Sequence, residues 1–324
     1  YELFSDVKAN PTIANVQNGV SAFKASGADF IVALGGGSSI DTAKGIGIVV
    51  NNPNFADVKS LEGVAATRHK AVPTFALPTT AGTAAEVTIN YVIIDEDAKK
   101  KMVCVDPNDI PVVAIVDPEL MVSIPPHLTA YQGFDAFFHA AEGFIANCAT
   151  PISDLYALEA IRLIYKYLPV AVADGKNLKA RAKIAWASTL AGMVEATSSC
   201  TSEHSLEHAM SAYYPQLPHG AGLIALSETY FETFRHDCTK RYMKMAEMMT
   251  QKKSNRPSDF IDALITLQKE CKVHSIKLSE FGIQSEDFPK FLQNARDTMG
   301  GLFTLDPRPI TDEEILHIFK KSYK

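Results

Sequence analysis

The feature that most constrains the fold is an apolar run that leads through a glycine-rich turn into a helical pattern. Residues 30–34 are all apolar, Gly35-Gly36-Gly37-Ser38 follows, and apolar residues then recur at helical spacing to about Val50. Short continuous apolar runs are typical of buried strands in parallel sheets, and parallel strands are usually joined through helices. The segment therefore predicts a strand–turn–helix unit of an α/β domain.

Other patterns complete the first part of the chain, which we place at residues 1–122. Asn10 followed by Pro11 predicts a helix start with Asn10 as N-cap, and Gly27 predicts the end of that helix. Further strands are predicted at 74–77 and 112–116. A hairpin is predicted from segments 87–94 and 102–105, which flank a polar turn.

After Asp117-Pro118 the strand patterns stop and helical periodicity continues to the end. We therefore predict an all-α part over residues 123–324, packed closely against the α/β part with a ligand cleft between them. The predicted helices cover about 127–147, 151–167, 178–199, 203–213, 220–234, 239–250, 257–271, 286–298 and 311–322.

Composition excludes several classes of protein. The 324 residues are 47% apolar and carry a net charge of −6, which supports a large core and argues against nucleic-acid binding. No run of about 18 apolar residues occurs, so no membrane span is expected. The five cysteines are scattered without a CxxC pair, as is typical of a reduced cytoplasmic protein.

Two polar turns follow predicted strands. In the first, Gly36 and Gly37 allow backbone N–H groups to approach an anion at a helix N-terminus, where Ser38 can cap the helix or bind a phosphate oxygen. The spacing is not GxGxxG, so a plain Rossmann domain is not predicted. The second turn carries three hydroxyls where ligands of α/β sheets bind: Thr79, Thr80 and Thr83. For this turn alone, an ordinary capping loop is the better interpretation.

A group of histidines and one carboxylate predicts a metal site in the helical part. Asp135 and His139 are spaced i, i+4 on one predicted helix, His204 and His208 repeat that spacing on another, and His219 follows Pro218. Such pairs share one helix face, and Asp with imidazoles suits a divalent first-row metal. Each histidine singly is more often an ordinary buried residue, but the density of the group favours metal binding.

The same helix contains a second motif with a different meaning. His204, Glu207 and His208 match HxxEH, the signature of inverted zinc peptidases with the glutamate as general base. A peptidase has no use for a phosphate-binding turn or for the Asp135/His139 pair. We therefore keep a metallopeptidase as the alternative from another class and interpret Glu207 as a carboxylate outside the ligand set.

Taken together, the motifs resemble the iron-containing (group III) alcohol dehydrogenase family over essentially the whole chain. The matching segments are GGGSSID at 35–41, PTTAGTAAEVT at 78–88, GFDAFFHAAEG at 133–143, HSLEH at 204–208 and PHG at 218–220. The resemblance implies a dehydroquinate synthase-like fold, with an α/β nucleotide-binding domain and an all-α metal-binding domain. It also implies that the α/β domain here lacks its first strand–helix–strand unit.

The resemblance further implies a role for each site residue. One divalent metal, Fe²⁺ or Zn²⁺, would be held by Asp135, His139, His204 and His219, with His208 as the catalytic residue beside it. NAD or NADP would contact Asn10, Gly36, Gly37, Ser38, Asp41, Thr79, Thr80, Thr83, Asn90 and Lys101, with Asp41 anchoring the glycine turn. A homo-oligomer, at least a dimer, is also implied.

The implied activity is the metal-assisted interconversion of a primary alcohol or diol and its aldehyde. A zinc polyol dehydrogenase of glycerol type shares the fold and stays open. So does a lyase-like relative with the dehydroquinate synthase fold, although the sequence shows no Lys/Arg cluster near the proposed ligands for a phosphorylated acid. The unit expected to be missing selects NAD or NADP, so the sequence predicts neither the coenzyme nor the alcohol.

Overall fold

The computed structural model describes residues 1–64 and 67–323. Its strands all lie in the first part of the chain and are β1 Ile31–Gly35, β2 Gly63–Val64, β3 Thr74–Pro78, β4 Asn90–Asp95, β5 Lys100–Val105 and β6 Val113–Ala114. Its helices are α1 Ile13–Ser26, α2 Gly37–Asn51, α3 Pro126–Ile145, α4 Pro151–Ala173, α5 Leu178–Thr197, α6 Ser202–Tyr213, α7 His219–Thr233, α8 Thr239–Thr250, α9 Ser258–Glu270, α10 Phe288–Phe303 and α11 Asp312–Tyr323. An α/β part thus precedes a helical part, as predicted.

A parallel sheet of order β1–β3–β6 positions the glycine turn. Ile31 pairs with Thr74 and Phe75 pairs with Val113, and α2 packs against β1 and β3. The prediction that segments 30–34 and 112–116 are buried is wrong. Val32 is 57% exposed and Val112, just before β6, is 58% exposed. In β1 the neighbouring residue Ala33 is buried, so only one face of that strand is covered.

The predicted hairpin is confirmed and forms a second sheet. Strands β4 and β5 are antiparallel from Asn90–Val105 to Asp95–Lys100, and the short strand β2 adds to β5 in parallel. Tyr91, Ile93 and Met102 are buried with α1 and α2 residues in one apolar cluster. This packing holds β4 against α2, and β5 contacts α6 and α10 of the helical part.

Helix α1 begins two residues later than its sequence signal predicts. Thr12 is the N-cap, forming a capping box with Asn15, whereas Asn10 has a left-handed φ of 57°. Asn10 as N-cap is therefore wrong, because the Thr12 side chain accepts from the Asn15 N–H and the Asn15 side chain accepts from the Thr12 N–H. Gly27 ends the helix with φ 69°, as predicted.

Helix α3 is the centre of the helical part. Its residues from Gly133 to Ile145 are all buried, and it packs against α4, α5 and α7. Helix α4 continues to Ala173 through Pro169, beyond the predicted end at 167, because Leu168, Ala171 and Val172 are buried in the same core. Helix α6 packs against α7 and α10. Within the described ranges, the chain has no helix with the length and apolarity needed to cross a membrane.

Candidate active site

A cleft of ≈ 370 Å³ lies between the α/β part and the helical part. Its volume falls in the range of small-molecule sites, about 300–1,000 Å³. Both parts contribute lining side chains, and those of the helical part include every residue predicted to bind metal or act in catalysis. The predicted site residues that line it are Asn10, Gly37, Ser38, Asp41, Thr83, Asn90, Lys101, Asp135, His139, His204, His208 and His219.

Four of these side chains converge around one carboxylate oxygen. Asp135 and His139 lie one turn apart on α3, His204 lies in the first turn of α6, and His219 is the first residue of α7. The distances from Asp135 Oδ1 to the three Nε2 atoms are 3.5 Å for His139, 3.7 Å for His204 and 3.4 Å for His219. The rings of His139 and His204 stack with centroids 4.7 Å apart.

The three distances from Asp135 Oδ1 are close to the separation of two ligands in a tetrahedral metal site. Donor atoms about 2.0–2.1 Å from a common centre are about 3.4 Å apart in a tetrahedron. Asp135 Oδ1 and His204 Nε2 are buried and, within the described residues, have no hydrogen-bond partner, which is costly unless something else binds them. Burial raises the pKa of Asp135, but the charges of His139 and His219 hold that pKa well below its ordinary value.

Two buried carboxylates contact the Nδ1 atoms of two of the imidazoles, on the side of each ring opposite Nε2. Glu142 contacts His204 Nδ1 and accepts hydrogen bonds of 2.8 Å from the Thr201 N–H and hydroxyl. Glu207 contacts His219 Nδ1. Contacts of this kind fix the tautomer of a ligating histidine, so that Nε2 faces the metal. Both carboxylates are fully buried.

Lys101 lies on the metal side of the cleft, where it connects several of these groups. Its Nζ is 3.4 Å from Glu207 Oε2, 3.3 Å from Ser211 Oγ and 3.4 Å from His219 Nδ1. Burial and the nearby positive charge of Lys101 lower the pKa of His208 well below its ordinary value. The His208 imidazole is therefore neutral near pH 7 and able to accept a proton.

The glycine turn ends β1 and begins α2. Gly36 is the N-cap, and the first N–H groups of an α-helix have no partner within the helix. A Cβ at Gly37 would lie 2.7 Å from Thr83 Oγ1, so only glycine allows the two polar turns to approach this closely. The prediction that Ser38 caps α2 is wrong, because Ser38 lies inside the helix and its Oγ accepts from the Asn10 N–H at 3.3 Å.

Some predicted cofactor residues lie elsewhere or make other contacts. Gly36 directly precedes the lining residue Gly37, and Thr79 and Thr80 lie a few residues before the lining residue Thr83. None of these three residues lines the cleft itself. Asp41 Oδ2 accepts from the Val92 N–H at 3.0 Å, so Asp41 connects α2 to β4 and does not anchor the glycine turn. Its pKa is raised to about 7, mainly by burial.

The cleft-lining residues that sequence reasoning missed include Glu195, Cys200, Met299 and Leu302. Glu195 is in the last turn of α5, and Met299 has non-helical backbone angles inside α10. No local pattern marks these positions, since tertiary packing brings them to the cleft. Glu142 carried a signal, because it follows His139 by three residues on the same face of α3.

The HxxEH interpretation does not fit this geometry. Glu207 is fully buried behind His219 and is not among the residues that line the cleft. One of its oxygens contacts His219 and Lys101. The Glu207 carboxylate is therefore poorly placed to activate a water for peptide hydrolysis.

A cluster of histidines and carboxylates thus shares one cleft with a glycine turn at a helix N-terminus, and comparison with known proteins gives the family. The profile "Iron-containing alcohol dehydrogenase" matches residues 1–118, and "Fe-containing alcohol dehydrogenase family, C-terminal" matches residues 129–323. Lactaldehyde reductase of Escherichia coli K12 is 38% identical over 331 residues, covering 100% of this chain and 84% of that protein. Alcohol dehydrogenase 4 of Saccharomyces cerevisiae is 34% identical, covering 99% and 83%.

Solved structures agree with the sequence relatives. The crystal structure of a 1,3-propanediol oxidoreductase has a TM-score of 0.93 at 33% identity, covering 99% of this chain and 84% of that one. The chain belongs to the iron-containing alcohol dehydrogenase family, and it is an alcohol/aldehyde oxidoreductase.

Proposed function

We propose that the protein interconverts a short primary alcohol or diol and its aldehyde, using NAD or NADP and one divalent metal held by Asp135, His139, His204 and His219. The observation that carries this proposal is the set of distances of 3.4–3.7 Å from Asp135 Oδ1 to three imidazole Nε2 atoms. The three imidazoles lie on three different helices, α3, α6 and α7. Hydrogen bonding among the described residues does not explain why their Nε2 atoms converge on Asp135.

The bound metal would polarise the substrate oxygen and the nicotinamide would exchange the hydride. His208 is the proposed proton acceptor in alcohol oxidation and the proton donor in aldehyde reduction. It lines the cleft, its ring centroid is 5.3 Å from that of His219, and its lowered pKa leaves it neutral. Met299 and Leu302 also line the cleft, and their apolar side chains would help exclude water.

The cofactor would lie along the α/β side of the cleft. The N-terminus of α2 favours a phosphate, and Gly37, Ser38 and Thr83 line the cleft there. We infer that Gly36, Thr79 and Thr80 belong to the same cofactor site through the turns that they form. Asn10, Asp41, Asn90 and Lys101 are the remaining proposed contacts.

The metal is proposed to be Fe²⁺, with Zn²⁺ as the alternative, since one carboxylate and three imidazoles suit both. A zinc polyol dehydrogenase would share the fold and the metal geometry. The names of two relatives, lactaldehyde reductase and 1,3-propanediol oxidoreductase, support a short diol or its aldehyde as substrate. Metal analysis with glycerol as a test substrate separates the two alternatives.

Three further properties are proposed. The boundary between the nucleotide-binding and metal-binding domains lies at residues 122–123, just before α3. The five cysteines are all free, which supports a reducing, cytoplasmic location. The active form is a homo-oligomer, at least a dimer.

The experiment that tests the proposal is anaerobic oxidation of NADH and NADPH with lactaldehyde, propanal and butanal, before and after addition of Fe²⁺. We expect turnover that depends on metal, and the ranking of coenzymes and aldehydes then gives the specificity. A protein that binds metal but turns over no pair would contradict the proposal.

A further inference from the structure

Glu195 brings a carboxylate into the cleft that none of the proposed roles uses. It lies in the last turn of α5, and 16% of its side chain is exposed. Its Oε1 accepts a hydrogen bond of 2.8 Å from the amide of Asn90, the first residue of β4. This bond crosses from the helical part to the α/β part and fixes the direction of the carboxylate.

The second oxygen of Glu195 is close to the proposed metal ligands but outside them. Oε2 lies 3.9 Å from His139 Nε2, and over residues 1–64 and 67–323 it forms no hydrogen bond. All four proposed ligands belong to groups of side chains whose donor atoms lie within 4.8 Å of one another, whereas Glu195 belongs to none of these groups. Oε2 is therefore a free acceptor beside the reacting centre.

The cations near the cleft are engaged elsewhere. Lys44 Nζ donates to the carbonyls of Thr88 at 2.7 Å and Asn90 at 2.9 Å, and Lys101 pairs with Glu207. Within the described part of the chain, Glu195 forms no ion pair with a lysine or arginine. A free, largely buried acceptor of this kind is stabilised by a ligand that donates a hydrogen bond to it.

We propose that Glu195 is a specificity-determining residue whose carboxylate accepts a hydrogen bond from a second polar group of the substrate. That group is a hydrogen-bond donor, a hydroxyl as in a diol or an ammonium as in an amino alcohol. It lies a few bonds from the reacting carbinol, since Oε2 is so close to His139. A carboxylate at this position also disfavours substrates with an anionic second group, by repulsion and by the cost of burying two like charges.

This inference rests on the proposed function and adds the substrate feature that the site selects. A site built to bind a polar group discriminates strongly against analogues without it, because its own polar atom is left unpaired. The protein should therefore distinguish substrates of equal length by their second group, and the distinction should disappear with the carboxylate.

The test compares the wild-type protein with Glu195→Leu and Glu195→Gln, all loaded with the same metal. The alcohols are 1-propanol, 1,3-propanediol, 3-amino-1-propanol and 3-hydroxypropionate, and kcat and KM are measured for each. We expect Glu195→Leu to lower kcat/KM for the diol or the amino alcohol by about tenfold or more relative to kcat/KM for 1-propanol, mainly through KM. The ratio to 1-propanol removes any effect on the cofactor side that follows from the lost bond to Asn90. Glu195→Gln keeps the bond from Asn90 but loses the charge, so it should spare the diol more than the amino alcohol.

Two readouts besides turnover separate this role from others. Metal content per chain should be the same in all three proteins. Saturation-transfer NMR on the zinc-loaded proteins should show diol binding that is weaker in Glu195→Leu. Loss of metal from Glu195→Leu would make Glu195 a ligand, and an equal loss of kcat/KM for all alcohols would make it a general positioning residue; either result overturns the inference.

The failure of the inference can be told from failure of the proposed function. A wild-type protein that oxidises all four alcohols equally, with no change in Glu195→Leu, overturns the specificity role alone. A metal-loaded wild-type protein that oxidises none of them overturns both. A higher kcat/KM for 3-hydroxypropionate than for the diol in the wild type would also contradict the inference.

Discussion

At the residue scale, the site consists of buried polar side chains that contact one another in two layers, the proposed ligands and the carboxylates behind them. Asp135 faces three imidazoles, and behind them Glu142 and Glu207 each contact the far nitrogen of one ring. The i, i+4 spacing of the sequence could predict the first group, since helix geometry alone places Asp135 beside His139. The spacing could not predict the contact between Glu207 and His219, because these two residues meet only through the packing of α6 against α7.

Replacement of Glu142 by Gln should weaken metal binding. The side chain is fully buried and accepts from two Thr201 groups while contacting His204, so an amide must turn its NH₂ toward at least one donor. We expect a loss of metal affinity of about 10- to 100-fold, measured by competition with a chelator. The exposed Glu228→Gln serves as control, and wild-type affinity in Glu142→Gln would show that the contact does not orient His204.

Asp41 should give the metal-free protein a pH-dependent stability that Asp41→Asn lacks. Its folded pKa is raised to about 7 from 3.8, mainly by burial, so between these values the folded state holds a proton that the unfolded state has lost. This contribution to stability is complete below pH 3.8 and falls as pH rises to about 7, by up to about 1.4 kcal/mol per pH unit. Asn can still accept from the Val92 N–H, so the fold should persist.

The measurement is urea unfolding of both metal-free proteins at several values between pH 5 and 8. As pH rises to about 7, the free energy of unfolding of Asp41→Asn should increase relative to that of the wild type. Above about pH 7 the difference between the two proteins should become constant. A difference that is independent of pH across this window would mean that Asp41 is already ionised in the folded protein at pH 5.

At the element scale, the metal site depends on where helices begin and how closely they approach. His219 is the first residue of α7, and the next residue, Gly220, packs directly on the backbone of α3. A Cβ at Gly220 would lie 2.2 Å from the Tyr131 carbonyl oxygen and 2.7 Å from its carbon. Because backbone cannot move aside as a flexible side chain can, this glycine sets the distance between His219 and Asp135.

Gly220→Ala should therefore displace the start of α7 from α3 and weaken the metal site. We expect metal affinity to fall by about tenfold or more, as for loss of an orienting contact, together with a lower melting temperature. Gly301→Ala is the matched control, since a Cβ there meets nothing within 4 Å. Metal affinity and melting temperature that are unchanged in Gly220→Ala would contradict the packing argument.

Element boundaries show where local sequence signals fail. Asn10-Pro11 is a strong signal for a helix start, yet the chain uses Thr12, because the reciprocal bonds with Asn15 satisfy more backbone groups. Helix α4 passes through Pro169 because buried contacts outweigh the lost hydrogen bond. In both cases the type of element was predictable from periodicity, and its limits depended on contacts that the pattern does not contain.

At the scale of the whole molecule, the order of elements follows from the sequence, but the surface of the cleft does not follow completely. The glycine turn, the hairpin and the helical part were predictable because each has its own period or turn residues. Glu195, Met299 and Leu302 reach the cleft through the packing of α5 and α10, which no local period encodes. These are the residues on which we expect substrate preference to depend.

The most direct test of the central claim is anomalous diffraction from crystals of the metal-loaded protein, recorded at the absorption edge of the bound metal. We predict one peak at about 2.0–2.2 Å from Asp135 Oδ1 and from the Nε2 atoms of His139, His204 and His219. A peak among Glu207, His208 and His219, whose donor atoms lie within 4.8 Å of one another, would contradict the proposed ligand set and the role of His208.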